Sequence, residues 1–153
     1  MTISEDILNF CIALDNINDP VMTDCNAFVK KVGAHFNVQI PDLNADGIID
    51  AFSTLPFTQT STNPTDALAW AKNGLVVAGM KQSELSPAFG NHTHGHVAIV
   101  HAGEDTNHPG FPLASWGSLG GRGLSNTSIR QTFPASACNQ DKVHFAFVPV
   151  ADL

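Results

Sequence analysis

Apolar residues in the first half of the chain recur every three or four positions. Ile7, Leu8, Cys11 and Leu14 lie on one face, behind an acidic start at Ser4, Glu5 and Asp6. This spacing predicts a helix from about Ser4 to Asn16. The segment "NINDP" interrupts it, and Phe28, Val29, Val32 and Phe36 then define a second helix from about Cys25 to Phe36. Thr23 or Asp24 is its natural N-cap. After Pro41, "NADGIIDAFSTL" predicts a third helix with Ile48, Ile49 and Phe52 turned inward. "NPTDALAWAKNG" predicts a short fourth, opened by Pro64 and closed at Gly74. The texture then changes to short runs: "LVVAGM", "HVAIVH", "FPLASW" and "VHFAFVPV" read as strands separated by Gly, Asn, Ser and Pro. Helices followed by strands predict an α+β fold.

No repeat, low-complexity tract or linker divides the chain, so residues 1–153 are expected to form a single domain. Charged residues make up only 14% and apolar residues 43%, the balance of a globular protein with a buried core. The formal net charge is −7, and Lys30-Lys31 is the longest basic cluster. Such a surface repels phosphate backbones and anionic lipid, so neither nucleic acid nor membrane is an expected partner. No apolar run approaches the roughly 20 residues that cross a bilayer. The N-terminus carries acids and no Lys or Arg, unlike a secretory signal. The expectation is retention in the cytoplasm, or export by a route that reads no cleavable signal.

The three cysteines, Cys11, Cys25 and Cys138, leave at least one thiol free. Two states are open: a Cys11–Cys138 disulfide in an oxidising compartment, or three reduced thiols.

Cys25 sits where the second helix begins. A helix N-terminus stabilises a thiolate, and its free N–H groups can hold the oxyanion formed when sulfur attacks a carbonyl. The alternative is a buried structural cysteine. In "NHTHGHVAIVHAG", strand alternation puts His96, Ala98 and Val100 on one face and Val97, Ile99 and His101 on the other. His96, at the lip of the strand, is placed to act as general base for a neighbouring thiol. His92, His94 and His101 read as surface histidines. His92, His94 and His96 share one face of an extended segment and raise a zinc reading, which lacks a fourth ligand. "DLNADGIIDAFS" matches a calcium loop at Asp42, Asn44, Asp46, Gly47, Ile49 and Asp50, but Ser53 stands where a bidentate acid is needed. "WGSLGGRGLSN" reads as a flexible loop over a cleft.

Cys25 in "DCNAF" and His96 in "GHVAIV" resemble the nucleophile and base segments of the NlpC/P60 papain-like cysteine peptidases. "DCNAFVKKVGAHFNVQIP", "NADGIIDAF", "NGLVVAGMK", "GHVAIVHAG" and "WGSLGGRGL" fall in the same order as in the first family of type VI secretion amidase effectors. The resemblance implies a papain-like fold with N-terminal helices packed on a small antiparallel sheet. It implies an enzyme, a peptidoglycan amidase hydrolysing the γ-D-glutamyl–diaminopimelate bond, with Cys25 as nucleophile, His96 as base and no metal or other cofactor. It also implies delivery by the secretion apparatus into the periplasm of a target bacterium, and a cognate immunity protein in the producing cell.

Two positions depart from that pattern. Asn26-Ala27 replaces the usual Ser-Gly after the nucleophile. The third, polar member of the site should lie on the strand after that of His96, where Ser115 is the one side chain able to orient an imidazole. Alternation can point it the wrong way. Two other functions remain: hydrolysis of a different cell-wall amide bond, and a non-catalytic, calcium-dependent wall-binding module using Asp42 to Asp50.

Overall fold

The computed structural model describes residues 1–152. Helix α1 (Ile3–Asn16) opens on a capping box: the Thr2 hydroxyl accepts from the Glu5 amide while the Glu5 carboxylate accepts from Thr2 N–H. A 3-10 turn at Pro20–Thr23 leads into α2 (Cys25–His35), and α3 (Ala45–Asp50) follows. Strand β1 (Gln59–Ser61), helix α4 (Pro64–Ala71), strand β2 (Gly74–Met80) and helix α5 (Gln82–Leu85) precede strand β3 (His96–Glu104). Strands β4 (Pro112–Trp116) and β5 (Leu124–Ser128), helix α6 (Ala135–Asn139) and strand β6 (His144–Pro149) complete the order. The architecture is α+β, as the two textures predict.

All pairings are antiparallel, in one sheet of order β1-β6-β2-β3-β4-β5. Each central strand serves two cores. Leu75, Val77, Val97 and Ile99 pack beneath α1, α2 and α3, together with Ile7, Phe28 and Ile48. Val76, Ala78, Ala98 and Val100 face the other way, onto Ala67 and Ala71 of α4 and Ala137 of α6.

The sheet is larger than the small one expected, and helices cover both of its faces. Strand β2 is buried at all seven positions. An uninterrupted apolar run such as "LVVAGM" needs cover on both sides, whereas a half-exposed strand would alternate. Helix α4 supplies part of that cover by crossing to the far face.

Sheet and helices meet at one end to present the chemistry. The end of β2, the start of β3 and the end of β4 lie side by side there, since Met80 pairs with His96 and Ile99 with Ser115. The N-terminus of α2 lies against that end of β3.

Candidate active site

Asp24 forms the mouth of α2. Its backbone is extended, and its Oδ1 accepts from the amides of Asn26 at 2.9 Å and Ala27 at 3.3 Å, satisfying N–H groups that the helix leaves unpaired. Cys25, the first helical residue, is only 1% exposed. Its Sγ donates to Asn26 Oδ1 at 3.5 Å. Burial pushes the thiol pKa up, the Val97 amide N–H aimed at the sulfur draws it down, and the Asp24 charge pushes it up again. The amides of Asn26 and Cys25 itself add smaller downward pulls. The net direction is upward, so dehydration of the sulfur outweighs the helix N-terminus that the sequence suggested would dominate. The Val97 amide that draws the thiol's pKa down belongs to the residue after His96, so the sulfur and the start of β3 are neighbours.

His96 begins β3, and its Nε2 lies 2.5 Å from Thr132 Oγ1. Its ring stands 5.2 Å from that of Phe133. Burial pushes its pKa down to about 4, with His94 and His92 adding to the fall. All three histidines line a cleft of about 340 Å³ together with Trp116, Arg122 and Thr132. The histidine segment is thus part of the wall of a cavity, and His92 is fixed there by its own contact to the Phe89 carbonyl at 3.1 Å.

Ser115 and His96 are not brought together. Ser115 pairs in register with Ile99, whose side chain faces α1 to α3, so its hydroxyl points to that same face of the sheet. There it lies 2.6 Å from His101 Nε2 and accepts from the Asn126 amide at 2.9 Å. It also bears on the Cys11 thiol, whose pKa burial pushes up to about 12. His101 is not the surface residue expected: it is 3% exposed, and its Nδ1 has no partner among the described residues. Thr132, the residue that does meet His96, follows a 3-10 turn after β5. Nothing in "IRQTF" marks it, because only the fold carries that turn back to the start of β3.

The glycine-rich segment is tied down rather than flexible. The amides of Ser118 and Gly123 both donate to Met22 O, at 3.1 and 2.7 Å. Arg122 bonds Asn18 Oδ1 and the Asp15 carbonyl at 2.8 Å each, and its guanidinium meets Asp15 Oδ1 at 2.6 Å. Asp15 Oδ2 accepts from the Ser125 hydroxyl at 2.6 Å. Gly117 presses on the carbonyls of Val21 and Asp24, where a Cβ would collide with backbone. The strap therefore lies directly on the chain that leads into Cys25, and part of the expected loop is in fact strand β5.

The calcium reading loses its geometry. Asn44 caps α3 by accepting from Gly47, Asp42 pairs with Lys30 and Asp50 with Lys81, while Asp46 accepts from the Gln82 amide. Among the described residues, no three His, Cys, Asp or Glu side chains converge as a metal site, the histidine trio included. Cys11 and Cys138 lie in the cores on opposite faces of the sheet, and all three cysteines are free thiols.

No family model matches the chain. A relative does: the chain is 29% identical over 102 residues to the peptidoglycan amidase Tse1 of Pseudomonas aeruginosa. The match takes in 67% of this chain. It spans 59% of Tse1, less than two thirds of that protein's length.

Proposed function

We propose that this protein is a cysteine amidase of peptidoglycan, built on a papain-like fold of the NlpC/P60 type. The observation that carries the reading is the meeting of Cys25 and the start of β3: the Val97 amide bears on the sulfur, one residue along from His96. The similarity to Tse1 supports peptidoglycan as the substrate class. The scissile bond is the γ-D-glutamyl–diaminopimelate amide of the stem peptide.

His96 takes the proton of Cys25 as the sulfur attacks the amide carbonyl carbon, and the carbonyl π electrons move onto oxygen. The Cys25 backbone N–H stabilises that oxyanion, the Asn26 and Ala27 amides at the same turn being held by Asp24. The C–N bond then breaks, and the departing amine takes the proton from His96. Water, deprotonated by the same imidazole, attacks the thioester; the second tetrahedral intermediate expels the sulfur, which recovers its proton. No metal or other cofactor enters these steps. The protein acts as a type VI secretion effector, reaching the periplasm of a target bacterium and held in check by an immunity protein in the producer.

The test is direct. Wild-type protein should release new amino termini from Gram-negative sacculi, and muropeptide masses should locate the cut between D-glutamate and diaminopimelate. Cys25→Ala should abolish release. Retained release by that variant would remove the thiol from the reaction, and a different fragment mass would change the bond while leaving the amidase reading intact.

A further inference from the structure

Within the proposed reaction, the base is held by a group that carries no charge. His96 Nε2 meets Thr132 Oγ1 at 2.5 Å, and the ring packs near Phe133. His94 and His92 are the groups whose charge bears on that ring. The remaining polar cleft residues are Ser118, Arg122, Gln131 and Thr132 itself, and the lining contains no aspartate or glutamate. Ser115, the other hydroxyl in question, is occupied on the far side of the sheet by His101 and Asn126.

We propose that Thr132 is the positioning residue of His96, its hydroxyl fixing the tautomer with hydrogen on Nε2 in a resting site that holds a neutral imidazole and a neutral thiol. The inference rests on Cys25 and His96 being the reacting pair. An imidazole backed by a carboxylate is stabilised as imidazolium, which favours a standing ion pair with the thiolate. A hydroxyl gives direction without negative charge. With Nε2–H donated to Thr132, the lone pair sits on Nδ1, ready to accept a proton.

The chemistry follows from that starting state. The S–H bond breaks and the proton passes to Nδ1 as the S–C bond forms and the carbonyl π electrons move to oxygen. His96 becomes imidazolium only at that point, and the Thr132 oxygen still accepts from Nε2–H in the charged form. The surroundings agree: burial disfavours imidazolium at His96 and thiolate at Cys25, the same direction for both partners. Thr132 thus acts on rate by aiming the base. It leaves the resting charge unchanged.

The experiment has two independent readouts. Nitrogen-15 NMR of the imidazole reports tautomer and protonation state directly, whether or not the protein cleaves sacculi. The wild type should show neutral His96 with hydrogen on Nε2 at pH 7. Thr132→Val should lose that tautomeric preference and lower kcat about 10- to 100-fold, the kinetic equivalent of one positioning hydrogen bond, with KM little changed. Thr132→Ser should restore both. A resting imidazolium, the opposite tautomer in the wild type, or a Thr132→Val protein with wild-type spectrum and kcat would each overturn the proposal. The wild-type spectrum decides the tautomer even if the valine variant does not fold. Failure of the amidase reading would look different: no muropeptide release by any of the three proteins, with the spectra unaffected.

Discussion

At the mouth of α2, one carboxylate does two opposed things. Asp24 caps the helix through Oδ1, and its negative charge resists ionisation of the adjacent Cys25 thiol. Asparagine caps helices as well as aspartate does and carries no charge. Asp24→Asn should therefore keep the helix and release the electrostatic brake. The expected outcome is a lower pH midpoint for alkylation of Cys25 by iodoacetamide, with thermal stability changed by less than about 1 kcal/mol. An unchanged midpoint would mean that burial alone sets the thiol's behaviour. Neighbouring Asn26 adds a contact of its own: its side-chain oxygen accepts a hydrogen bond from the sulfur itself.

Elements divide sharply into those visible in the chain and those that are not. Helices α1 and α2 and the central strands β2, β3 and β6 carry strong apolar patterns, and each lies close to its expected bounds. The edge strands β1, "QTS", and β5, "LSNTS", are polar and short. They are strands because β6 and β4 offer unpaired backbone at the sheet margins, a property of the neighbours. The site divides in the same way. Cys25 and His96 stand at element starts that local pattern reveals, whereas Thr132 arrives from a turn whose path depends on β5, and Ser115 is diverted by the parity of its pairing with Ile99. The glycine strap is the mechanically interesting element, since it lies on the approach to a nearly inaccessible sulfur. Asp15 anchors it through Arg122 and Ser125 without lining the cleft. Asp15→Ala should loosen the strap and raise the rate of Cys25 labelling by a bulky thiol reagent severalfold. Its ion pair is half open to water, so the stability loss should stay near 1 kcal/mol. Labelling at the wild-type rate would show that the strap does not control access.

Across the whole molecule, stability should depend on pH through a histidine that takes no part in the proposed chemistry. His101 is buried between sheet and helices, its Nε2 on Ser115 and its Nδ1 unpartnered, and burial pushes its pKa from 6.5 down to about 4. A base with a depressed pKa takes up a proton more readily when unfolded. Stability from this group is therefore full above pH 6.5, falls as pH drops, and reaches its lower plateau below about 4. The shift amounts to about 3 kcal/mol at most, a large fraction of the 5 to 15 kcal/mol that typically holds a domain together. The carboxylates of Asp15, Asp19 and Asp105, held below their usual range by hydrogen bonds from Ser125, Lys31 and Ser128 respectively, contribute at lower pH. Their support is present above the unfolded carboxylate pKa and lost as pH falls through the folded one, so the two windows separate. His96 shares the upper window, since its pKa is also depressed to about 4. His101→Gln keeps an amide nitrogen near the Nε2 position and removes one of the two titrations. Urea denaturation across pH 7 to 4 should show a steep loss of stability in the wild type and a visibly shallower one in the variant. Equal slopes would place the acid sensitivity elsewhere, with His96 the first candidate. Because His101 sits on the face of the sheet opposite to Thr132, activity measured at pH 7 should report on the cleft while acid unfolding reports on the core. The two titrations can then be assigned separately in one protein.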